Sequence, residues 1–215
     1  MFKIYCDEYF NDICKITKKC WHGELILNPK TEEILYELLP KYSLINKVLS
    51  FVDYSDKVDA FIFAGFRDDY ANVTNWLNNI VKELNEEEKK IVNLYFNYLE
   101  LNHNKVISHM KNKDVYLSLL ASTKKNSGAS LLDYLKKIAY DNNSDIYLWT
   151  DETCNYKYYE AKGFKLVEEY YVTLLDKRIK TYIYTFECSK INRKMWLLLC
   201  CYFCYNLLWG EFDDI

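Results

Sequence analysis

The spacing of apolar residues changes character at Val115, where a helix-rich first half gives way to alternating strands and helices. Val115–Ala121 is a continuous apolar run typical of a buried strand. Leu131–Tyr140 has the 3–4 spacing of an amphipathic helix, and Asp145–Thr150 predicts a second short strand. Strands and helices that alternate in this way predict a mixed α/β sheet.

The same half continues with a short helix and a hairpin. Asn155–Lys162 predicts the helix, and Gly163 follows it where a left-handed residue commonly ends a helix. Lys165–Val172 and Arg178–Phe186 predict two paired strands that turn at Leu175–Lys177.

The first half predicts four helices and one hairpin. Two helices open the chain, Glu8–Trp21 and Thr31–Leu39, and Pro40 is expected to close the second. Two further helices are predicted at Asn72–Leu84 and Glu86–Leu101.

The hairpin lies between these helix pairs. Lys47–Tyr54 and Val58–Phe66 predict its strands, joined by a turn at Ser55–Lys57.

Composition indicates an ordered core and argues against a nucleic-acid partner. Half of the 215 residues are hydrophobic, and only 5 Gly and 2 Pro are present. The formal charge of -3 excludes broad binding to phosphate backbones. The charged start, Met1–Glu8, is unlike a signal peptide, so a cytoplasmic protein with reduced thiols is expected. The eight cysteines and three histidines predict no metal site.

The chain ends on a strongly apolar segment, Met195–Trp209, that is shorter than the roughly 20 residues of a membrane-spanning helix. A buried terminal helix or a subunit contact in a homodimer is the favoured interpretation. Association with a membrane surface and palmitoylation remain open alternatives.

A polar loop that contains glycine, Lys124–Ser130, joins the Val115–Ala121 strand to the next helix. Backbone N–H groups at a helix start, flanked by lysines, suit a phosphate or pyrophosphate. An ordinary polar loop is the alternative, because a single glycine loop is a weak signal.

A second motif follows the next predicted helix and strand, and it consists of Asn155, Tyr159, Gly163 and Phe164. The four-residue spacing within the predicted helix places Asn155 and Tyr159 on one helical face. Core aromatic residues are the alternative interpretation. Together the loop and this motif resemble the core of the GCN5-related N-acetyltransferases (GNATs), over Val115–Val172.

The resemblance implies an acetyl-coenzyme A site. Lys125, Gly128 and Ser130 align with the family's phosphate-loop signature, although lysine replaces its usual Gln or Arg and serine its small residue. The hydroxyl of Ser130 is expected to cap the helix. The implied cofactor contacts are the strand, the loop and the second motif, namely Leu119, Leu120, Ala121, Lys125, Asn126, Ser127, Gly128, Ala129, Ser130, Asn155 and Tyr159.

The resemblance also implies roles within this site. The strand before the loop splays from its neighbour and pairs with the pantetheine amides. Asn155 contacts the pantetheine arm, and Tyr159 protonates the leaving thiolate as a general acid.

The general base is left open by the sequence. Trp149 stands where similar proteins often carry an acid. The candidates for the base are polar residues near the predicted strand ends, namely Asp68, Asp69, His109, Asp114, Asp151 and Glu152.

The sequence therefore predicts a GNAT-like α/β fold with a mostly antiparallel sheet, a splayed strand pair and flanking helices. Residues 1–190 form the expected domain, with an N-terminal half at 1–111, a cofactor-binding core at 112–188 and an apolar extension at 191–215. The predicted activity is direct acetyl transfer from acetyl-coenzyme A to a small-molecule or peptide amine. The alternative is a coenzyme A-binding or protein-interaction module without catalysis.

Overall fold

A computed structural model describes residues 2–21, 29–71 and 73–188. The helices are α1 (Phe10–Trp21, after a single 3₁₀ turn), α2 (Pro29–Ser43), α3 (Thr74–Lys82), α4 (Glu86–His109), α5 (Ser127–Asp141) and α6 (Lys157–Ala161). The strands are β1 (Phe2–Ile4), β2 (Phe51–Tyr54), β3 (Val58–Phe66), β4 (Val115–Ser122), β5 (Ile146–Asp151), β6 (Lys165–Leu174) and β7 (Lys177–Phe186).

The seven strands form one mixed sheet in the order β1-β2-β3-β4-β5-β7-β6. All neighbours are antiparallel except β4 and β5, which run parallel. The β4–β5 pairing covers only Val115↔Ile146 and Tyr116↔Tyr147, so the two strands diverge beyond Tyr116. The predicted fold class, including the splayed pair, is confirmed.

Helices cover both faces of the sheet, which explains why β3 is an unbroken apolar run from Ala60 to Ala64. Phe61 and Phe63 pack into the cluster with α1, α2 and α4, whereas Ala60, Ile62 and Ala64 pack with α5 on the other face.

Helix α2 corrects the prediction that Pro40 ends it, because the helix continues to Ser43. Proline lacks an N–H, so its ring costs a single hydrogen bond near the helix end. The last turn is still closed by the bond from Leu44 N to Pro40 O (3.0 Å), and Tyr42 is buried in the core.

Two boundaries in the first half also differ from the prediction. Strand β2 begins at Phe51 rather than Lys47, because the Asn46 side chain accepts hydrogen bonds from Val48 N (2.9 Å) and Leu49 N (3.2 Å) and forms a turn. Helix α4 extends past Leu101 to His109, where its buried face includes Val106.

Strands from both predicted halves share the sheet, and the division at residues 111 and 112 stays a prediction. The apolar extension at 191–215 lies outside the described residues. The homodimer contact and the cytoplasmic location stay predictions as well. No helix within residues 2–21, 29–71 and 73–188 is long and apolar enough to cross a membrane.

Candidate active site

The divergence of β4 and β5 opens a cavity of about 970 Å³. Leu117–Ser122 lines it from β4, and Trp149–Asn155 lines it from the end of β5 and the loop that follows. The start of α5 forms one part of the wall, and α1, α2 and α4 form another. The size is that of a site for a small-molecule ligand.

A bulge at Ser118 shapes the β4 wall. Phe63 pairs with Leu119 and the next residue, Ala64, pairs with Leu117, so Ser118 is the extra residue. The bulge places Leu117 and Leu119 in the clusters on opposite faces of the sheet, although two residues of a regular strand at this spacing share a face. Ser118 Oγ lies 2.6 Å from Ser43 O and 3.0 Å from Phe63 O, so its hydroxyl donates to a carbonyl at the bulge.

The first turn of α5 presents backbone N–H groups to the cavity. Asn126 precedes the helix in a left-handed conformation (φ 68°), and its side chain forms no capping bond. The N–H groups of Gly128 and Ala129 belong to the first turn, where a helix offers them no carbonyl partner, and both residues line the cavity. The site therefore has the donors that an anionic group requires.

Gly128 lets this turn approach β4 closely. A Cβ atom at Gly128 would lie 3.2 Å from Ser122 Cβ. Ser122 also orders the preceding loop, because its hydroxyl donates to Lys124 O at 2.7 Å.

Helix α5 corrects the predicted role of Ser130. The helix begins at Ser127, so Ser130 lies inside it, and Ser130 N bonds to Asn126 O at 2.9 Å. The predicted helix start at Leu131 is too late because Ala129 is the only apolar residue in Ser127–Ser130 and is too small to mark a helical face.

The two loop lysines differ in position. Lys124 lines the cavity, and its Nζ forms an ion pair with Asp59 Oδ2 on β3 at 3.0 Å. The hydrogen bond and charge of Asp59 raise the pKa of Lys124. Lys125 is exposed and does not line the cavity.

Tyr159 reaches the cavity from α6 and is packed among other rings. Its ring meets those of Phe164 (5.7 Å between centroids) and Tyr158 (5.5 Å). Burial, followed by the charge of Cys154, raises the pKa of Tyr159, so the phenol is neutral at physiological pH.

Asn155 also lines the cavity, but it precedes α6 rather than belonging to it. The prediction of a shared helical face is therefore wrong. A turn places the two residues instead, with Tyr158 N bonded to Asn155 O (3.0 Å) and Tyr159 N to Tyr156 O (3.1 Å).

Helix α6 is anchored to α5 by a buried lysine. Lys136 Nζ donates to Lys162 O at 2.6 Å, one residue before Gly163, whose φ of 82° has the predicted left-handed sign. Burial lowers the pKa of Lys136 to about 8.

Asp151 is the buried acid of the cavity wall. Its Oδ2 accepts from Tyr98 Oη on α4 (2.8 Å), and its Oδ1 accepts from the backbone N (2.9 Å) and the Oγ1 (2.5 Å) of Thr153. Burial and the neighbouring carboxylate raise the pKa of Tyr98, which keeps it a hydrogen-bond donor.

The other candidate bases lie elsewhere or already have backbone partners. Glu152 lines the cavity, but its Oε1 accepts from Lys180 N at 2.9 Å. Asp69 accepts from Phe66 N (2.7 Å), Asp114 from Lys111 N (2.7 Å), and His109 bonds Glu168 (2.8 Å). These three, with Asp68, do not line the cavity.

Eight predicted cofactor contacts meet at the cavity, namely Leu119, Leu120, Ala121, Asn126, Gly128, Ala129, Asn155 and Tyr159. Lys125, Ser127 and Ser130 do not line it. Sequence reasoning missed Tyr98, whose helical spacing with Tyr95 and Leu101 is that of a core residue. No local sequence feature shows that Tyr98 bonds to Asp151, because the two residues are 53 positions apart.

Solved structures show which fold this arrangement represents. The N-acetyltransferase from Staphylococcus aureus Mu50 matches with a TM-score of 0.53 and 16% identity, over 85% of this chain and 99% of that chain. The C-terminal condensation domain of Ebony, solved in complex with beta-alanyl-dopamine, matches with a TM-score of 0.57 and 12% identity, over 87% of this chain and 98% of that chain. A third protein, provisionally assigned as a phosphinothricin N-acetyltransferase, matches with a TM-score of 0.50 and 12% identity, over 87% of this chain and 97% of that chain.

These likenesses establish that the chain has the fold of the GNAT superfamily, as the sequence resemblance predicted. No protein-family model matches the chain, and no curated protein matches it. The described part of the chain contains no group of three or more His, Cys, Asp or Glu side chains placed to hold a metal ion.

Proposed function

We propose that this protein is an N-acetyltransferase that transfers the acetyl group of acetyl-coenzyme A to a primary amine by direct attack in a ternary complex. The observation that carries the proposal is the single cavity in which the N-terminal turn of α5, the splayed edge of β4 and Tyr159 meet. A GNAT fold alone would not imply activity, because function depends on the site rather than on the fold.

The α5 end of the cavity suits the cofactor. The N–H groups of Gly128 and Ala129 are available to the pyrophosphate, and the helix dipole favours its negative charge. Asn126 and Asn155 supply amide groups beside the same wall. The backbone of Leu119–Ala121 on the side of β4 that β5 has left is available to the pantetheine amides.

The reaction replaces the C–S bond of the thioester with a C–N bond. The neutral amine nitrogen attacks the thioester carbonyl carbon, so a C–N bond forms and the C–S bond breaks. A backbone N–H of β4 near the Ser118 bulge stabilises the oxyanion. Tyr159 gives its phenolic proton to the sulfur, and the proton lost by the nitrogen restores the phenol.

Tyr159 can take this role because its phenol is protonated at neutral pH. Burial raises its pKa and makes it a weaker acid, so the proposed transfer depends on the position of the phenol beside the sulfur. Holding the phenol beside the sulfur supplies the geometry that the transfer requires.

The proposal is tested by isothermal titration of the full chain with acetyl-coenzyme A, beside a Gly128→Glu variant. We expect micromolar binding to the wild type and its loss in the variant, because a carboxylate would occupy the turn that receives the pyrophosphate. Ser130→Glu is the matched control, since Ser130 is exposed and does not line the cavity.

Absence of binding by the folded wild type would contradict the proposal. Binding without transfer to any amine would favour the alternative of a coenzyme A-binding module. The position of Trp149, where similar proteins often carry an acid, is consistent with that alternative.

A further inference from the structure

The wall of the cavity opposite the α5 turn has a composition of its own. It is formed by α1, α2, α4 and the end of β5, and among the described residues its side chains include five aromatic rings, two leucines and the buried carboxylate of Asp151. The rings belong to Trp21, Tyr36, Tyr95, Tyr98 and Trp149. We propose that this wall binds the acceptor, and that the acceptor is a small primary amine with one positive charge and an aromatic body.

This inference rests on the proposed function, because it names the amine that the same site would acetylate. The observation that supports it differs from the one that supports acetyl transfer, because it is a buried acid among aromatic rings. It can therefore fail while acetyl transfer stands.

Asp151 lacks the cation that a buried carboxylate normally requires. Its residue is 8% exposed, and its three hydrogen-bond donors, from Tyr98 and Thr153, are all neutral. Within residues 2–21, 29–71 and 73–188, no Lys, Arg or His side chain pairs with it. A carboxylate has about four lone-pair positions, so one remains for a ligand N–H beside these three donors. An ammonium group would supply both the hydrogen bond and the missing charge. Before attack it would give its extra proton to Asp151, which releases that proton to water, so that the nitrogen reacts in its neutral form.

The rings around this acid define the rest of the ligand. Tyr98 and Trp149 meet edge to face with centroids 5.6 Å apart, and the Trp149 indole donates to Tyr116 Oη at 2.9 Å, which fixes its orientation. Rings held in this way offer faces to a cation and edges to an aromatic substituent.

The charges at the cavity argue against two other amine classes. An amino acid would bring a second carboxylate next to its ammonium group and therefore close to Asp151. A polyamine would place further ammonium groups along a wall whose other acids, Glu32 and Glu152, already accept Tyr36 Oη (2.5 Å) and Lys180 N (2.9 Å). Arg178 is exposed at the β6–β7 end of the cavity, and its positive charge disfavours a second ammonium group there.

The test compares three amines on the full chain, namely 2-phenylethylamine, spermidine and phenylalanine. Saturation-transfer NMR without acetyl-coenzyme A measures amine binding, and thiol release with acetyl-coenzyme A measures transfer. We expect 2-phenylethylamine to bind and to give a kcat/KM at least about 10-fold above both others, the size of one lost charged contact. Preference for spermidine or phenylalanine in either assay would overturn the inference.

The two proposals are separated by the order of the measurements. If acetyl-coenzyme A fails to bind, the proposed function fails, and the NMR experiment still decides whether the ring wall selects an aromatic amine. If acetyl-coenzyme A binds and only spermidine is acetylated, the inference fails and the proposed function stands.

Two variants test the contacts themselves. Asp151→Asn should raise the KM for 2-phenylethylamine about 10- to 100-fold while leaving the Kd of acetyl-coenzyme A unchanged. Asp56→Asn removes the same charge from the exposed β2–β3 turn and should change neither value. An unchanged KM in folded Asp151→Asn would overturn the assignment.

Should Asp151→Asn fail to fold, the half-buried Tyr95 provides a second variant. Tyr95→Ala should lower kcat/KM for 2-phenylethylamine and not for ethylamine, which has the same charge and no ring. An equal loss for both amines would contradict a ring-binding wall.

Discussion

The hydroxyl of Tyr98 donates a 2.8 Å hydrogen bond to Asp151, and this bond joins the middle of α4 to the end of β5 inside the cavity wall. Both residues are buried, so water cannot replace the bond without entering the wall. The pair thus links the packing of α4 to the position of a buried acid that lines the cavity.

Removing the Tyr98 hydroxyl should therefore destabilise the fold. We expect Tyr98→Phe to lower the free energy of unfolding by about 1–2 kcal/mol, because a buried carboxylate loses a donor. Urea denaturation at neutral pH measures this change. Tyr134→Phe, in a partly exposed ring on α5, should stay within about 0.5 kcal/mol of the wild type. Equal effects of the two changes would contradict a specific role for the bond.

The general-acid assignment predicts a defect in turnover rather than in binding. With an acceptor in hand, Tyr159→Phe should lower kcat by about 10²- to 10⁴-fold, because the variant lacks the proposed proton donor to the sulfur. Steady-state kinetics and titration with acetyl-coenzyme A measure the two effects separately. Tyr158→Phe is the matched control and should change kcat far less. Full turnover by Tyr159→Phe would remove the assignment.

Lys136 makes a contribution to stability that rises at alkaline pH. Its pKa in the folded chain is about 8, below the usual 10.5, so between these values the unfolded chain holds a proton that the folded chain has lost. The contribution of this lysine to the free energy of unfolding therefore rises with pH in this window, by up to about 1.4 kcal/mol per pH unit. It opposes the fall expected from buried thiols such as Cys14 and Cys188, because burial raises their pKa values.

A lysine-to-methionine pair isolates this contribution. Lys136→Met should lack this lysine's pH-dependent contribution to the free energy of unfolding. Lys137→Met, at an exposed position on the same helix, should retain it. Urea denaturation between pH 7 and pH 10 compares the three proteins. Parallel curves for wild type and Lys136→Met would show that the buried lysine does not titrate as expected.

Gly163 predicts a backbone effect that depends on the substituted residue. Its φ of 82° lies in the left-handed region, and a Cβ atom there would make an ordinary van der Waals contact with Phe186 Cε2 at 3.7 Å and no clash. Gly163→Ala should thus cost about 1–2 kcal/mol from backbone strain alone. Gly163→Asn should cost less, because asparagine adopts this conformation more readily. Thermal or urea unfolding ranks the variants, and the reverse order would exclude strain as the cause.

Features encoded over a few residues were predictable from the sequence. The hairpin turn at Leu175–Asp176 and the left-handed Gly163 depend on local backbone preferences, and both occur as predicted. The amphipathic spacing of α1 and α5 likewise reports which face meets the sheet.

Features made by distant residues were not predictable. The Ser118 bulge changes which face Leu119 occupies, and nothing in the apolar run Val115–Ala121 marks the extra residue. The ion pair between Lys124 and Asp59 joins residues that only the β3–β4 pairing brings together. Most of the predicted cofactor contacts share one cavity because the motif spacing reflects the strand–helix order, whereas the ring wall is assembled from helices of the other half.

The short pairing between β4 and β5 has a consequence for the acyl group that the proposed enzyme could accept. Beyond Tyr116 no strand pairing fixes the distance between the two backbones, and the opening between them is lined by Leu117 and Leu119 on one side and by Trp149 on the other. Under the proposed function, the length of acyl chain that fits is set by these three side chains and not by the sheet. Exchange of the indole for a smaller group would widen the opening and remove its hydrogen bond to Tyr116, but it would leave the strand pairing unchanged, so selectivity for acetyl over longer acyl donors can change without a change of sheet.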